Sequence, residues 1–368
     1  MPWNVGIIGA GTIAAAYLRA IRTFTALEAV AIADLDLERA RARAEAFGVP
    51  RACSVDELLR DPQVDVVLNL TVPAAHAEVS GAALAAGKHV YSEKPLATRR
   101  ADGEALVAAA AERSLRLGCA PDTVLGPGMR TARAALDGGA IGRPLAATAM
   151  MASRGPDAWH PDPGFFYQPG AGPLFDFGPY YLSALVQLLG PVAAVASDAV
   201  VGLPERVVGS GPKAGARLRP TTPTHVAALL AFAGGPRATL LTSFDVVATE
   251  HPRIEVYGTE GTLAVPDPNT FGGPVRLRRH DEDAWRELPL PAGAAEDARG
   301  IGLAEMAEAH AAGRPHRASG DLALHVLDVM EAILDAAEAR RWLDLTTRTD
   351  RPAALGDDAP ARRGGGTT

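Results

Sequence analysis

The chain has 368 residues, an ordinary globular composition with 48% hydrophobic and 21% charged residues, and a formal net charge of -7 from 36 basic and 43 acidic side chains. That length exceeds what one hydrophobic core usually serves, so two domains are expected, and the interspersed charges argue against a nucleic-acid or other polyanionic partner. The opening MPWNVGIIGAG has no charged leader followed by a removable apolar segment, no apolar run is long enough to span a membrane, and Cys53 and Cys119 stand in neither C-x-x-C nor zinc-like spacing, so a cytoplasmic protein with no membrane partner is expected.

Short apolar runs at 5–8, 29–33, 64–70, 89–92 and 115–120 alternate with Ala-rich, Arg- and Glu-studded segments such as 37–47 and 100–114. Strand and helix in alternation call for crossover connections and a parallel sheet. Residues 1–122 therefore read as a doubly wound α/β domain of the Rossmann kind, with its ligand at the carboxyl ends of the strands.

Gly9-Ala10-Gly11-Thr12-Ile13-Ala14 ends the first strand and opens a helix. In that context Gly9 permits the tight turn, Gly11 lets the backbone approach a pyrophosphate, and Ala14 lets the helix pack closely on the strand. The helix start at Thr12 and Ile13 offers N–H groups to the phosphates. Asp34 ends the second strand, where a carboxylate can accept from the adenosine ribose hydroxyls and would repel a 2′-phosphate, so NAD is favoured over NADP. The arginines at 39, 41 and 43 read as the solvated face of a helix. Asn69-Leu70-Thr71-Val72-Pro73 ends another strand on the crevice side, so Thr71, Val72 and Pro73 can line the cofactor. His76 either starts the next helix or contacts the cofactor. Glu93-Lys94-Pro95 follows the strand at 89–92, again at a carboxyl end.

After Ala120 the pattern changes. A helix at 127–138 gives way to strands at 144–151, 225–232, 238–244, 254–257, 262–265 and 275–279, so 123–346 reads as an α+β domain on a large, mostly antiparallel open sheet. Tyr257 to Thr262 (YGTEGT) reads as a hairpin turn whose glycines supply positive φ. Residues 202–223, rich in Gly and Pro, read as a mobile surface loop. Leu322, Val326, Val329, Met330, Ile333 and Ala337 mark an amphipathic helix. The stretch 347–368 carries Pro, Gly and charge with little to bury and is expected to be disordered. The histidines show no ligand spacing, and no metal is expected.

The fingerprint, Asp34, the E-K-P tripeptide and the YGTEGT turn together resemble the Gfo/Idh/MocA oxidoreductase family (glucose-fructose oxidoreductase, inositol dehydrogenase, MocA) over residues 3–345. The resemblance implies that Lys94 is catalytic and close to the cofactor, with Glu93 beside it. It also implies a second signature, a Gly-rich stretch running into D-x-G-x-H. Asp176 matches it, but Tyr180 stands where the histidine belongs, so the general base is open among Lys94, Tyr180 and His160. Asp176 and Tyr180, four apart, share one helix face if they lie on the first turn of a helix; otherwise Asp176 is an N-cap. Tyrosine, with an ordinary pKa near 10, needs a neighbouring ammonium to act as a base, whereas histidine does not. His160, in Trp159-His160-Pro161, is therefore a candidate base or substrate ligand, with Trp159 and Phe166 as apolar faces for a sugar ring and Arg154 as a hydroxyl partner.

The expected activity is NAD-dependent hydride transfer at a secondary hydroxyl of a sugar, glycoside or cyclitol. One alternative is redox-neutral elimination or glycoside cleavage with tightly held NAD; another is a non-catalytic nucleotide-binding regulator. The resemblance further implies a homodimer or homotetramer.

Overall fold

The computed structural model describes residues 1–291, 298–356 and 358–363. The chain forms two compact units, each assembled from separated segments: Met1–Leu125, Asp297–Leu327 and Leu355–Thr368 make the first, Gly126–Glu296 and Asp328–Ala354 the second. Continuous boundaries at 122 and 346 therefore do not describe the units, because C-terminal elements return to complete the first one. No helix among the described residues is long and apolar enough to cross a membrane.

The first unit begins with β1 (Trp3–Ile8), α1 (Ala14–Ile21), β2 (Leu27–Ala33), α2 (Leu37–Phe47), β3 (Arg51–Cys53) and α3 (Val55–Arg60). It continues with β4 (Val66–Asn69), α4 (His76–Ala85), β5 (His89–Ser92), α5 (Arg100–Glu112) and β6 (Leu117–Cys119). The strands pair in parallel in the order β3-β2-β1-β4-β5-β6, the doubly wound order whose direction reverses between β1 and β4. Every strand expected in this half is present. Val5, Ile7, Ile32, Val66, Val67, Leu68 and Val90 are fully buried, as a parallel sheet covered on both faces requires. The short β3 and α3 were not anticipated, although α3 opens on a capping box of Ser54 and Glu57 that S-V-D-E encodes directly.

The second unit contains α6 (Pro127–Asp137), β7 (Pro144–Ala152), α7 (Gly172–Leu189), β8 (Val192–Val200), β9 (Arg206–Val207) and β10 (Arg217–Leu218). β11 (His225–Phe232), β12 (Arg237–Ser243), β13 (Ile254–Gly258), β14 (Gly261–Val265), β15 (Val275–Arg279) and β16 (Arg286–Leu288) follow. α8 (Ile301–Ala311) then belongs to the first unit, α9 (Gly320–Ala339) is divided between the units at Leu327, and β17 (Leu343–Asp344) closes the second. The large sheet runs β16-β15-β14-β13-β7-β12-β11-β8-β17 and is antiparallel except at β7 and β12. Val226, Ala228 and Leu230 of β11 and Ala238 and Leu240 of β12 point to the buried face, while Leu229, opposite Thr239, is half exposed on the other.

Three local expectations need correction. Gly258 and Gly261 of the hairpin are absent from the positive-φ glycines. They are needed for close approach: a Cβ on Gly258 would overlap Ile141 O, and one on Gly261 would lie 2.7 Å from Arg278 O. Residues 202–223 are not simply a mobile loop, since β9 and β10 pair within them and Arg206 is buried. The tail from 347 is ordered through 356 and again at 358–363. Arg351 Nε donates to Gln187 O at 2.9 Å in the second unit. In the first, Phe24 bridges Arg362, Thr25 N donates to Ala361 O (3.0 Å), and Arg317 pairs with Asp358 at 2.6 Å. The charges that signalled disorder are its anchors. Residues 357 and 364–368, also covered by that expectation, lie outside the described ones.

Candidate active site

In the first unit the expected cofactor residues sit in a row at the carboxyl ends of β1, β2, β4 and β5. Gly9 has φ +107°, and a Cβ there would lie 2.6 Å from Leu70 O, so the β1 turn accepts only glycine. A Cβ on Gly11 would meet nothing within 4 Å, which leaves open space on that side of the loop. Ala14, the first residue of α1, is fully buried. Among the described residues, the amides of Gly11, Thr12 and Ile13 donate to no protein acceptor. Unpaired N–H groups at a helix N-terminus suit a pyrophosphate, so these residues fit the dinucleotide they were expected to hold.

Asp34 Oδ2 accepts from Ala10 N (2.7 Å), and Oδ1 accepts from Asp36 N (2.9 Å) and Arg39 Nη2 (2.6 Å). Burial would raise its pKa, but the Arg39 hydrogen bond and the two amides outweigh that and hold it below the usual value. An ionised acceptor therefore stands at the end of β2. Arg39 and Arg43 are not merely a solvated face: Arg39 pairs with Asp34, and Arg43 Nη2 reaches Gly11 O at 3.2 Å. Arg41 behaves as expected, exposed beside Glu38.

Asn69 organises the turn after β4. Its Oδ1 accepts from Thr71 N (3.2 Å) and Thr71 Oγ1 (2.7 Å), and its Nδ2 donates to His76 O (3.1 Å) and Ser80 Oγ (3.0 Å). Val72 and Pro73 are exposed beyond it. His76 is 1% exposed, with Nδ1 2.6 Å from Pro95 O and Nε2 3.1 Å from Thr71 O. Burial first of all lowers its pKa, and a neutral ring donates to one of these carbonyls at a time. What His76 supplies is a tie between the β4 and β5 turns.

The β5 turn carries Glu93 and Lys94, with a cis bond before Pro95. Glu93 is 9% exposed, and its carboxylate accepts from Tyr17 Oη (2.8 Å) and from Lys94 N (3.0 Å). Lys94 is half-buried. Next to this turn lies Asp122, 0% exposed, whose Oδ2 accepts from Gly300 N (2.6 Å) and Gly302 N (3.2 Å). Burial pushes its pKa up to about 6 against those amides and Arg299, and the Glu93 charge adds to the rise. Tyr17, Asn69 and Asp122 were not anticipated. Only Asn69 had a local signal, an Asx-type turn in N-L-T-V-P.

In the second unit Asp176 and Tyr180 lie within α7, on its second and third turns. The N-cap is Ala171, so Asp176 is not a cap. Asp176 is half-buried and Tyr180 is 6% exposed. Arg154, Trp159 and His160 belong to the segment after β7. Arg154 is exposed, Trp159 is 66% exposed, and the His160 ring packs edge-on against Trp159, Phe165 and Phe166 at centroid distances of 5.5, 5.5 and 5.4 Å. His160 Nδ1 accepts from Asp162 N at 3.1 Å.

This segment hangs on Arg206, a residue the sequence did not single out. Its guanidinium donates to Arg154 O (2.9 Å), Asp157 Oδ1 (2.9 Å), Phe244 O (2.8 Å) and Asp245 Oδ1, and lies 5.1 Å over the Tyr167 ring. Tyr167 Oη also donates to Asp157.

Residues 3–120 match the family model described as an oxidoreductase family with an NAD-binding Rossmann fold, and residues 129–264 match the GFO/IDH/MocA C-terminal domain. A 1,5-anhydro-D-fructose reductase from Ensifer adhaerens is 30% identical over 77% of this chain and 82% of its own length. A dTDP-3,4-didehydro-2,6-dideoxy-alpha-D-glucose 3-reductase from Streptomyces violaceoruber is 32% identical over 91% and 95%. Among solved structures, a levoglucosan dehydrogenase in complex with NADH and L-sorbose shares the fold, with TM-score 0.79, 23% identity and coverage of 94% of this chain and 100% of that one.

Proposed function

Since the chain belongs to the Gfo/Idh/MocA family of NAD-binding oxidoreductases, we propose that it exchanges hydride between NAD and a secondary hydroxyl carbon of a sugar, glycoside or cyclitol, with Lys94 at the reacting centre. Bound NAD supplies the hydride acceptor. The amides of Gly11, Thr12 and Ile13 hold its pyrophosphate, and Asp34 accepts from its adenosine ribose in the place Arg39 now shares. The observation that carries this reading is the row of strand ends in which Lys94 follows the unpaired amides and the ionised Asp34. The relatives named for sugar reduction support the substrate class.

Oxidation of the alcohol requires loss of the hydroxyl proton as hydride leaves the carbon. His160 spends Nδ1 on the Asp162 amide, so its neutral ring carries hydrogen on Nε2 and is a donor. We read it as a substrate ligand alongside Arg154, with Trp159 against an apolar ring face. Proton removal is assigned to Lys94 of the first unit, and Asp176 and Tyr180 of α7 are assigned to the substrate by their match to the family signature. The half-exposed outer face of the large sheet, with Leu229 and Thr239, is proposed to seat a second copy of the chain. A light-scattering mass equal to one chain would remove that part.

The test is to denature the purified protein, identify any released nucleotide, and follow the NADH band with excess NAD and a panel of sugars, cyclitols and glycosides. Continuing NADH formation supports the reading, whereas bound NAD with no NADH directs attention to elimination chemistry. Lys94→Ala should lower turnover by roughly 10²- to 10⁴-fold while NAD binding persists. Retained turnover would remove Lys94 from the reaction.

A further inference from the structure

Tyr17 is fully buried in α1, the helix whose N-terminus offers the Gly11–Ile13 amides. Its hydroxyl donates to Glu93 Oε1 at 2.8 Å, while Glu93 Oε2 accepts from Lys94 N at 3.0 Å. The Glu93 main chain is pinned separately: its N–H donates to Asn69 O at 2.8 Å, and its carbonyl accepts from Ser92 Oγ at 3.0 Å and from the Cys119 thiol at 3.6 Å. With the main chain fixed, the carboxylate is the group that grips the Lys94 amide, and Tyr17 is the side chain that fixes the carboxylate.

We infer that Tyr17 is a positioning residue, one that sets Lys94 through Glu93 and so ties the turn carrying the reactive lysine to the helix that holds the cofactor. The inference rests on the proposed role of Lys94. A carboxylate this buried needs donors on both oxygens, and among the described residues Glu93 Oε1 has a side-chain donor only in Tyr17. The Tyr17 phenol is suited to the task. Burial first, then the nearby Glu93 and Asp122 charges, raise its pKa well above the ordinary value, so it stays a donor throughout the range in which such enzymes work. A merely space-filling ring would need no hydroxyl, and phenylalanine would serve equally well.

Two readouts test this, one of them independent of turnover. The sequence contains only three lysines, Lys88, Lys94 and Lys213, so reductive ¹³C-methylation gives a simple spectrum in which the Lys94 signal is identified by its loss in Lys94→Ala. In Tyr17→Phe the Lys94 signal should move or broaden while those of Lys88 and Lys213 stay. With the panel compound that turns over fastest, kcat should fall about 10- to 100-fold, the scale of a misplaced catalytic group. The substrate KM and the affinity for NAD should hold within about two-fold. Glu93→Gln is the second variant, and Tyr17→Phe should have little further effect in its background, because the path it acts through is already altered.

An unmoved Lys94 signal with unchanged kcat, or a loss of kcat explained wholly by weaker NAD binding, overturns the inference. Lys94→Ala in parallel separates the two ideas. If it abolishes turnover while Tyr17→Phe is normal, only the Tyr17 role falls; if it turns over normally, the Lys94 reading falls first.

Discussion

Glu93 in the first unit and Arg206 in the second are both buried charged residues that hold a candidate site segment through hydrogen bonds to its backbone and side chains, yet their surroundings differ in sign. Arg206 is matched by two carboxylates, Asp157 and Asp245. Glu93 accepts from neutral donors, the Tyr17 hydroxyl and the Lys94 amide, and its charge reaches a second buried carboxyl group, Asp122. One segment is held through hydrogen bonds to charged partners and the other through hydrogen bonds from neutral donors to buried acid. The two should therefore fail differently, the first on loss of its cation and the second on ionisation.

The largest effect is expected at Arg206. Methionine matches its length but leaves Asp157 and Asp245 without their cation, and breaking a buried pair in this way costs about 3–5 kcal/mol. Arg206→Met should lower the unfolding free energy of the second unit by that amount and open residues 155–170 to limited proteolysis, with NAD affinity unchanged. An unaltered unfolding free energy would mean that the compensated hub does not hold the segment.

The same contrast explains what could be read from the sequence. Gly9, Gly11, Ala14, Asp34 and Glu93-Lys94-Pro95 each stand at or just after the end of a strand that its own apolar run announces, so the cofactor row was legible. Arg206 finds its partners 49 and 39 residues away, inside a stretch whose Gly and Pro content signals only a loop. Tyr17 meets Glu93 across 76 residues, and within α1 it looks like any core aromatic. The tail misled for a related reason: Arg351, Asp358 and Arg362 read as solvated charge until their distant partners are known. α7 was legible only at its start, because a helix buried nearly all round has no polar face to give it a period.

The smaller effect separates the two regions by pH. Burial raises the Asp122 pKa from 3.8 to about 6, so between pH 4 and 6 the folded protein binds more protons there than the unfolded chain does. Stability from this group is fully present below the unfolded pKa and declines as pH rises through the folded one, a loss on the order of 3 kcal/mol by pH 7. Asp122→Asn keeps an oxygen to accept from the Gly300 and Gly302 amides and cannot ionise. Denaturant unfolding from pH 4 to 7, read by hydrogen exchange over residues 117–125, should show the variant gaining stability relative to the parent as pH rises. Arg206→Met should show no such gain, because it leaves Asp157 and Asp245 without the cation that matches their charge. Parallel pH curves for the parent and Asp122→Asn would mean that Asp122 is ionised at little cost. The Glu93 region would then owe its stability to the same charge matching as the Arg206 hub, through a cation such as Arg299.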